Sequence, residues 1–268
     1  MGNIRDTLDV AKSAGSAIES TEHGKEAREN IGRAALTVTK TINNALLPLA
    51  ALNFGFEKAR NYFTNKFSSD LEEKTEGIPP EHLTEPKASV AGPALQGLAF
   101  SHDEAELREM YLELIACSMD DRIAKKAHPA FVEIIKQLGA DEARLLQGII
   151  STSDLYPIAE IRLVTEGMPG HMALMKHVLP LVSDGGSSPA VQPELPAMVD
   201  NWIRLGLVEV DYSSSLANEE RYKWVEGRPE LEELRNKYFE EKYSVVCENG
   251  YLVRTQFGSQ FAEAVGVS

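Results

Sequence analysis

The chain has 268 residues, 43% of them hydrophobic, and a formal net charge of −14 at pH 7. That content is ordinary for a globular protein of one large or two small domains, and the acidic balance excludes broad electrostatic attraction to nucleic acid. Two cysteines, Cys117 and Cys247, exclude a disulfide framework and a zinc ribbon.

The start, MGNIRDTLDVAKSAG, lacks the apolar run of a secretory signal. Residues 3–20 form a diluted helix pattern, with Ile4, Leu8, Ala11 and Ile18 on one side and Gly15 within it. Residues 24–46 repeat more regularly. Ala27, Ile31, Ala34, Ala35, Val38 and Ile42 make a narrow face of small side chains that permits close helix approach, within the chain or between copies.

Residues 41–56, TINNALLPLAALNFGF, contain no ionisable group. As a helix they would span about 24 Å, short of the roughly 20 apolar residues that cross a bilayer. Two readings stay open. One is a buried hairpin or kinked helix. The other is a membrane-interface or partner-contact element, flanked by cations. Its contact residues would be Arg33, Lys40, Leu46, Leu47, Phe54, Phe56, Lys58 and Arg60. Tyr62, Phe63 and Phe67 suit either a core or an interface. Residues 1–66 hold nine basic against seven acidic side chains, so they are net basic on an acidic chain. On the second reading they are removable without unfolding the central helices.

Residues 69–87 are rich in charge and carry Pro79, Pro80 and Pro86, the composition of a helix end and an extended connector. A short helix is expected over 89–100, with Pro93 near its start. Ser101 and Glu104 have the spacing of a capping box. Leu107, Met110, Tyr111, Leu114 and Ile115 then mark an amphipathic helix. Phe131, Ile134, Ile135 and Leu138 mark a second, with Pro129 in its first turn and His128 as its cap. Leu145, Leu146, Ile149 and Ile150 mark a third. Leu114, Phe131 and Ile135 are expected to be buried together.

The phrase His128-Pro129-Ala130-Phe131-Val132-Glu133-Ile134-Ile135-Lys136-Gln137-Leu138, followed by Asp141-Glu142-Ala143, resembles the abortive-infection alpha family. So does Glu106-Leu107-Arg108-Glu109-Met110-Tyr111, leading to Leu114 and Met119-Asp120. The resemblance runs from about Leu46 to about Phe261. It implies a bacterial protein linked to phage resistance, and it supplies no catalytic residues to carry over.

Beyond Ile150 the pattern turns mixed. Ala159, Ile161 and Leu163 alternate with polar residues as in a half-buried strand. A helix over 196–205 ends at Gly206, and Val208, Val210 and Tyr212 alternate. An acidic helix is expected over 229–239. Asn249-Gly250, between Tyr243–Cys247 and Tyr251–Arg254, reads as a hairpin turn. Thr255 caps a last helix. This order is that of winged-helix domains. Yet residues 194–268 carry eight basic and fourteen acidic side chains, where phosphate binding needs a basic face.

No P-loop, dinucleotide fingerprint, nucleophile elbow or zincin motif occurs. His171 and His177 read as surface or packing residues of a helix. Asp120, Asp121, Glu133, Asp141 and Glu142 form the one acidic grouping able to hold a hard metal or do acid–base work, with a solvated or capping role as the commoner alternative. Arg108 is expected to pair with Glu104.

The expectation is a mainly α protein with a small α+β C-terminal part. Residues 1–76 would form a helical N-terminal segment, 77–150 a connector and central helical bundle, and 151–268 a mixed, winged-helix-like domain. No catalytic, cofactor-binding or metal residue is assigned, and no cofactor is expected. The expected function is non-enzymatic antiphage defence in the cytoplasm, or at the periphery of the inner membrane. It would act through protein contacts, self-association or an anionic membrane surface. The alternative is a nucleic-acid-binding winged-helix regulator.

Overall fold

The computed structural model describes residues 53–151, 155–182 and 188–267, with side chains from Glu57 onward. The chain divides into two compact units, residues 53–147 with 260–267, and residues 148–259. The architecture is mainly helical, with a four-stranded antiparallel sheet in the C-terminal part.

The helices that lead the described chain are α1 (Asn53–Asn65), α2 (Phe67–Thr75), α3 (Ala88–Ser101), α4 (Ala105–Met119), α5 (Pro129–Ile135) and α6 (Ala140–Ile150). The α4 stripe of Leu107, Met110, Tyr111, Leu114 and Ile115 is buried, as its spacing predicts. Leu112, Ala116, Cys117 and Met119 are buried as well, so α4 is enclosed on most sides and forms the centre of the first unit. It lies close to α3 because Gly97 leaves room for the Tyr111 ring. A Cβ at Gly97 would stand 2.8 Å from Tyr111 Cε1 and closer still to Cζ and Oη. Leu114, Phe131 and Ile135 are all fully buried. Phe131 meets Phe261 edge-on, centroids 5.5 Å apart.

The caps divide into those that formed and those that did not. His128 Nδ1 accepts from the Ala130 N–H at 3.1 Å, and Pro129 occupies the first position of α5. The Ser101–Glu104 capping box is absent. Ser101 ends α3 instead, and its hydroxyl donates to Gly97 O at 2.9 Å. Arg108 does not reach Glu104. It donates to His102 O at 2.8 Å, closing the tight turn between α3 and α4. The connector before α3 is strapped to the end of α4. Thr84 N–H donates to Met119 O at 2.8 Å, and Asp121 N–H to His82 O at 3.0 Å.

The remaining elements are β1 (Tyr156–Thr165), β2 (Met172–Val178), α7 (Leu195–Arg204), β3 (Val208–Asp211), α8 (Pro229–Lys237), β4 (Tyr243–Arg254) and α9 (Gln256–Ala264), with sheet order β2-β1-β4-β3. Gly206 closes α7 in the left-handed region, φ +74°. Its N–H bonds Ile203 O and the next N–H bonds Trp202 O, both at 2.9 Å, the paired bonds of a Schellman end. Thr255 Oγ1 accepts from the Gly258 N–H at 2.8 Å and starts α9.

The Asn249-Gly250 hairpin is not formed. β4 runs unbroken from Tyr243 to Arg254, with Asn249 opposite Ala159 and Gly250 opposite Ile158. Gly250 serves close approach here, not a turn. A Cβ on it would stand 2.6 Å from the Tyr212 ring and overlap the Asp211 carbonyl. Pairing along the whole of β1 overrides the local turn signal. One face of the sheet buries Ala159, Ile161 and Val178 with Leu216, Tyr222, Val225 and Leu231. Tyr222 fixes that core by donating its hydroxyl to Gly250 O at 2.7 Å.

Candidate functional site

Of the predicted contact residues, Arg33, Lys40, Leu46 and Leu47 lie outside the described residues, and Phe54 and Phe56 stand in the first turn of α1. Lys58 and Arg60 are exposed on α1. Lys58 Nζ meets Asp103 Oδ2 at 2.8 Å, and Arg60 lies 4.0 Å from Glu57. The opposite face of the same helix is core. Ala59, Tyr62 and Phe63 are buried, as is Phe67 in α2. Tyr62 packs on His102 with centroids 5.2 Å apart and donates to Asp70 at 3.0 Å. So the aromatics of 62–67 belong to the first unit. Residues 1–66 are not removable as a piece, because α1 is part of that unit's core. Among the described residues no helix is long and apolar enough to cross a membrane.

The acidic grouping is dispersed. Asp120, almost wholly buried, takes both Arg122 Nε at 2.8 Å and Arg122 Nη2 at 2.5 Å, which holds its carboxyl below the usual range. Asp121 faces His82 Nδ1 at 2.9 Å, Glu133 faces Lys136 at 2.8 Å, and Asp141 faces Arg144 at 3.3 Å. Glu142 accepts from the Gly139 N–H at 3.3 Å, at the start of α6. Among the described residues no group of three or more His, Cys, Asp or Glu converges as a metal site. Burial pushes both thiols, Cys117 and Cys247, up to about 11, so neither is a ready thiolate at neutral pH.

The structure does assemble one polar centre that the sequence did not announce. His177 lies in β2, not in a helix, and stands at φ +59°, the one described non-glycine residue with positive φ. The register shifts beside it. Ala159 faces Val178 while Ile161 faces Met175, so Lys176 and His177 together oppose Glu160 in a bulge. The bulge buries the imidazole, which is 5% exposed. Its Nδ1 lies 3.0 Å from the Tyr212 hydroxyl, and its Nε2 lies 3.2 Å from Asp200 Oδ1. The His177 N–H also donates to the Tyr212 oxygen, at 3.0 Å. Burial disfavours the imidazolium, and the contacts then fit one neutral tautomer. Nε2–H donates to Asp200, and the phenol donates to Nδ1 while accepting the backbone N–H.

Beside this centre, Glu160 is buried against Arg162 Nε at 2.5 Å, and Arg162 Nη1 reaches Glu248 at 2.7 Å. His171 Nε2 stands 3.9 Å from Glu160. Asp200, His177 and Tyr212 have the order of a proton relay, from an exposed carboxylate inward to a phenol. Burial pushes the phenol's pKa up, away from what a nucleophile needs. The arrangement holds a proton in place.

Burial lowers the His177 pKa, opposed by the charge of Asp200. Lys176 adds to the lowering, and Glu160 opposes it. The unfolded imidazole, at about 6.5, then binds protons where the folded one does not. Stability is therefore full above about pH 6.5 and falls as pH drops toward the folded value, by at most about 1.4 kcal/mol per pH unit. Denaturant midpoints between pH 7.5 and 5.5 should show this slope. His177→Asn tolerates the left-handed backbone and should flatten it. The same slope in the variant would assign the effect to another group.

The family model for abortive infection alpha matches residues 59–265. No curated protein and no solved structure matches the chain. The matched span begins within α1 and ends just past α9, so it takes in both units.

Proposed function

The chain belongs to the abortive infection alpha family, and from that premise we propose that it acts in antiphage defence through contacts, without a reaction of its own. The segment leading into α1 makes those contacts. Family membership supports an abortive-infection-type role. The contact mechanism draws its support from α1. One face of that helix is fastened by Ala59, Tyr62 and Phe63, while Lys58 and Arg60 stand exposed at the end of an uncharged stretch. Exposed ion pairs such as Lys58–Asp103 contribute little to stability. Exchanging the carboxylate for a lipid phosphate therefore costs little, and each basic side chain near an anionic leaflet contributes about 1 kcal/mol to binding.

The test is a deletion ending at residue 52, which spares the buried face of α1. It should abolish protection against phage without lowering the melting temperature. The intact protein should float with phosphatidylglycerol vesicles and not with neutral ones. Lys58→Glu with Arg60→Glu should weaken that. A protein that never floats, and whose deletion still protects cells, ends this reading. The winged-helix regulator has less support. Its wing would fall where β4 is continuous, and its region carries the excess of acidic side chains counted above.

A further inference from the structure

The two partners of the His177 ring answer a proton in opposite senses. With the imidazole neutral, the 3.0 Å gap between Nδ1 and the Tyr212 oxygen holds one hydrogen, supplied by the phenol. A second proton on the ring goes to Nδ1, the nitrogen that lacks one. Nδ1–H and the phenol O–H then point into the same gap, so the phenol hydrogen has to turn out of it. Among the described residues the Tyr212 hydroxyl hydrogen-bonds His177 alone, at Nδ1 and at the backbone N–H. The displaced hydrogen therefore finds no second protein acceptor there. At the other nitrogen, Nε2–H already donates to Asp200 Oδ1 at 3.2 Å, and a charged ring turns that bond into an ion pair.

The ring cannot swing away from this conflict. His177 is 5% exposed and sits in the bulge at φ +59°. Burial and Lys176 on β2 oppose its charge, while Asp200 on α7 and Glu160 on β1 favour it. Glu160 is bonded to Arg162, which also bonds Glu248 on β4. His171, 3.9 Å from Glu160, is the second imidazole in this neighbourhood.

Tyr212 is the inner anchor of an exposed stretch. Its ring lies on Gly250, and Ser213, Ser214 and Ser215 follow it, all exposed, before the buried Leu216. The other ties of this stretch, Ser213 N–H to Asp211 at 2.6 Å and Leu216 N–H to the Tyr222 oxygen at 2.9 Å, do not involve His177. We propose that His177 is a proton-operated latch, which on protonation lets go of the Tyr212 hydroxyl and loosens residues 212–215 while keeping its hold on α7. The stability slope given above would follow from any histidine buried neutral. The latch adds opposite responses in two segments, and it stands whether or not α1 meets a membrane.

Hydrogen exchange of the full chain at pH 7.5 and 5.5, corrected for the intrinsic pH dependence of amide exchange, tests it. The His177 amide and residues 213–215 should exchange at least about twofold faster at pH 5.5, as for the loss of one hydrogen bond. The amides of α7 should be unchanged or slower. Tyr212→Phe keeps the ring on Gly250 and removes the hydroxyl, so it should show the faster exchange at both pH values. His177→Asn should lose the pH response, and His171→Gln should keep it. In the unaltered protein at pH 7.5, the imidazole ¹⁵N shifts should report a proton on Nε2 and none on Nδ1. The opposite tautomer overturns the proposal. So does an equal change in both segments, which would be a uniform loss of stability, or a pH response that survives in Tyr212→Phe or vanishes in His171→Gln.

Discussion

Phe131→Ala is expected to destabilise the first unit by about 3–5 kcal/mol, the range for deleting a buried aromatic ring. The ring is fully buried between α4 and the end of α9, where it meets Phe261 edge-on. Its own helix is short, from Pro129 to Ile135, and starts on the His128 cap. A helix of that length has little stability of its own. It stays formed because Phe131, Val132, Ile134 and Ile135 are all buried. Removing the ring leaves a cavity that one short helix cannot close. Against a total of about 5–15 kcal/mol for a typical domain, that is a large fraction. Denaturant unfolding followed by far-UV circular dichroism should show a lowered midpoint. An unchanged midpoint would deny this stretch its organising role.

The helices of both units were legible because their signals are local. The α4 stripe, the Pro129 start, the His128 cap, the Gly206 end and the Thr255 cap each depend on residues within one or two turns. The sheet was less legible because its decisive contacts are distant in sequence. Gly250 looked like half of a turn, yet its missing Cβ makes room for Asp211 O and the Tyr212 ring, some forty residues earlier. Met172–Val178 has few β-branched residues and reads as helix, but pairing with β1 decides its state. The available clue was Gly167 and Gly170, both at positive φ in the turn before β2. The His177 centre was hidden for the same reason. Its partners come from α7 and from the residue just after β3, and a bulge aims the ring at them. Ser101 and Glu104 had capping spacing, but the hydroxyl satisfied the end of one helix in place of the start of the next.

Arg228→Met is expected to cost the second unit about 3–5 kcal/mol, the range for breaking a buried ion pair by removing one partner. The Arg228 side chain is 2% exposed and that of Glu230 is 11% exposed. Nη2 meets Oε1 at 2.5 Å and Nε meets Oε2 at 3.1 Å, a forked pair that lysine cannot reproduce. The same guanidinium donates to Leu181 O at 3.0 Å and Ala190 O at 2.7 Å. Those carbonyls flank the Val182–Pro189 bridge, so one side chain ties both sides of that bridge to the start of α8. Methionine fills similar space but offers no donor, leaving the carboxylate and Ala190 O without partners, while Leu181 O keeps the Ala190 N–H at 3.0 Å. A stranded carboxylate in such a site takes up a proton or moves to water. Adding Glu230→Leu removes the uncompensated charge, so the double variant should be more stable than Arg228→Met alone, yet below wild type because Ala190 O remains unpaired. Arg228→Lys should recover only part of the loss. A midpoint for Arg228→Met within about 0.5 kcal/mol of wild type, the spread of ordinary surface substitutions, would mean that the Val182–Pro189 bridge and α8 are held by other contacts.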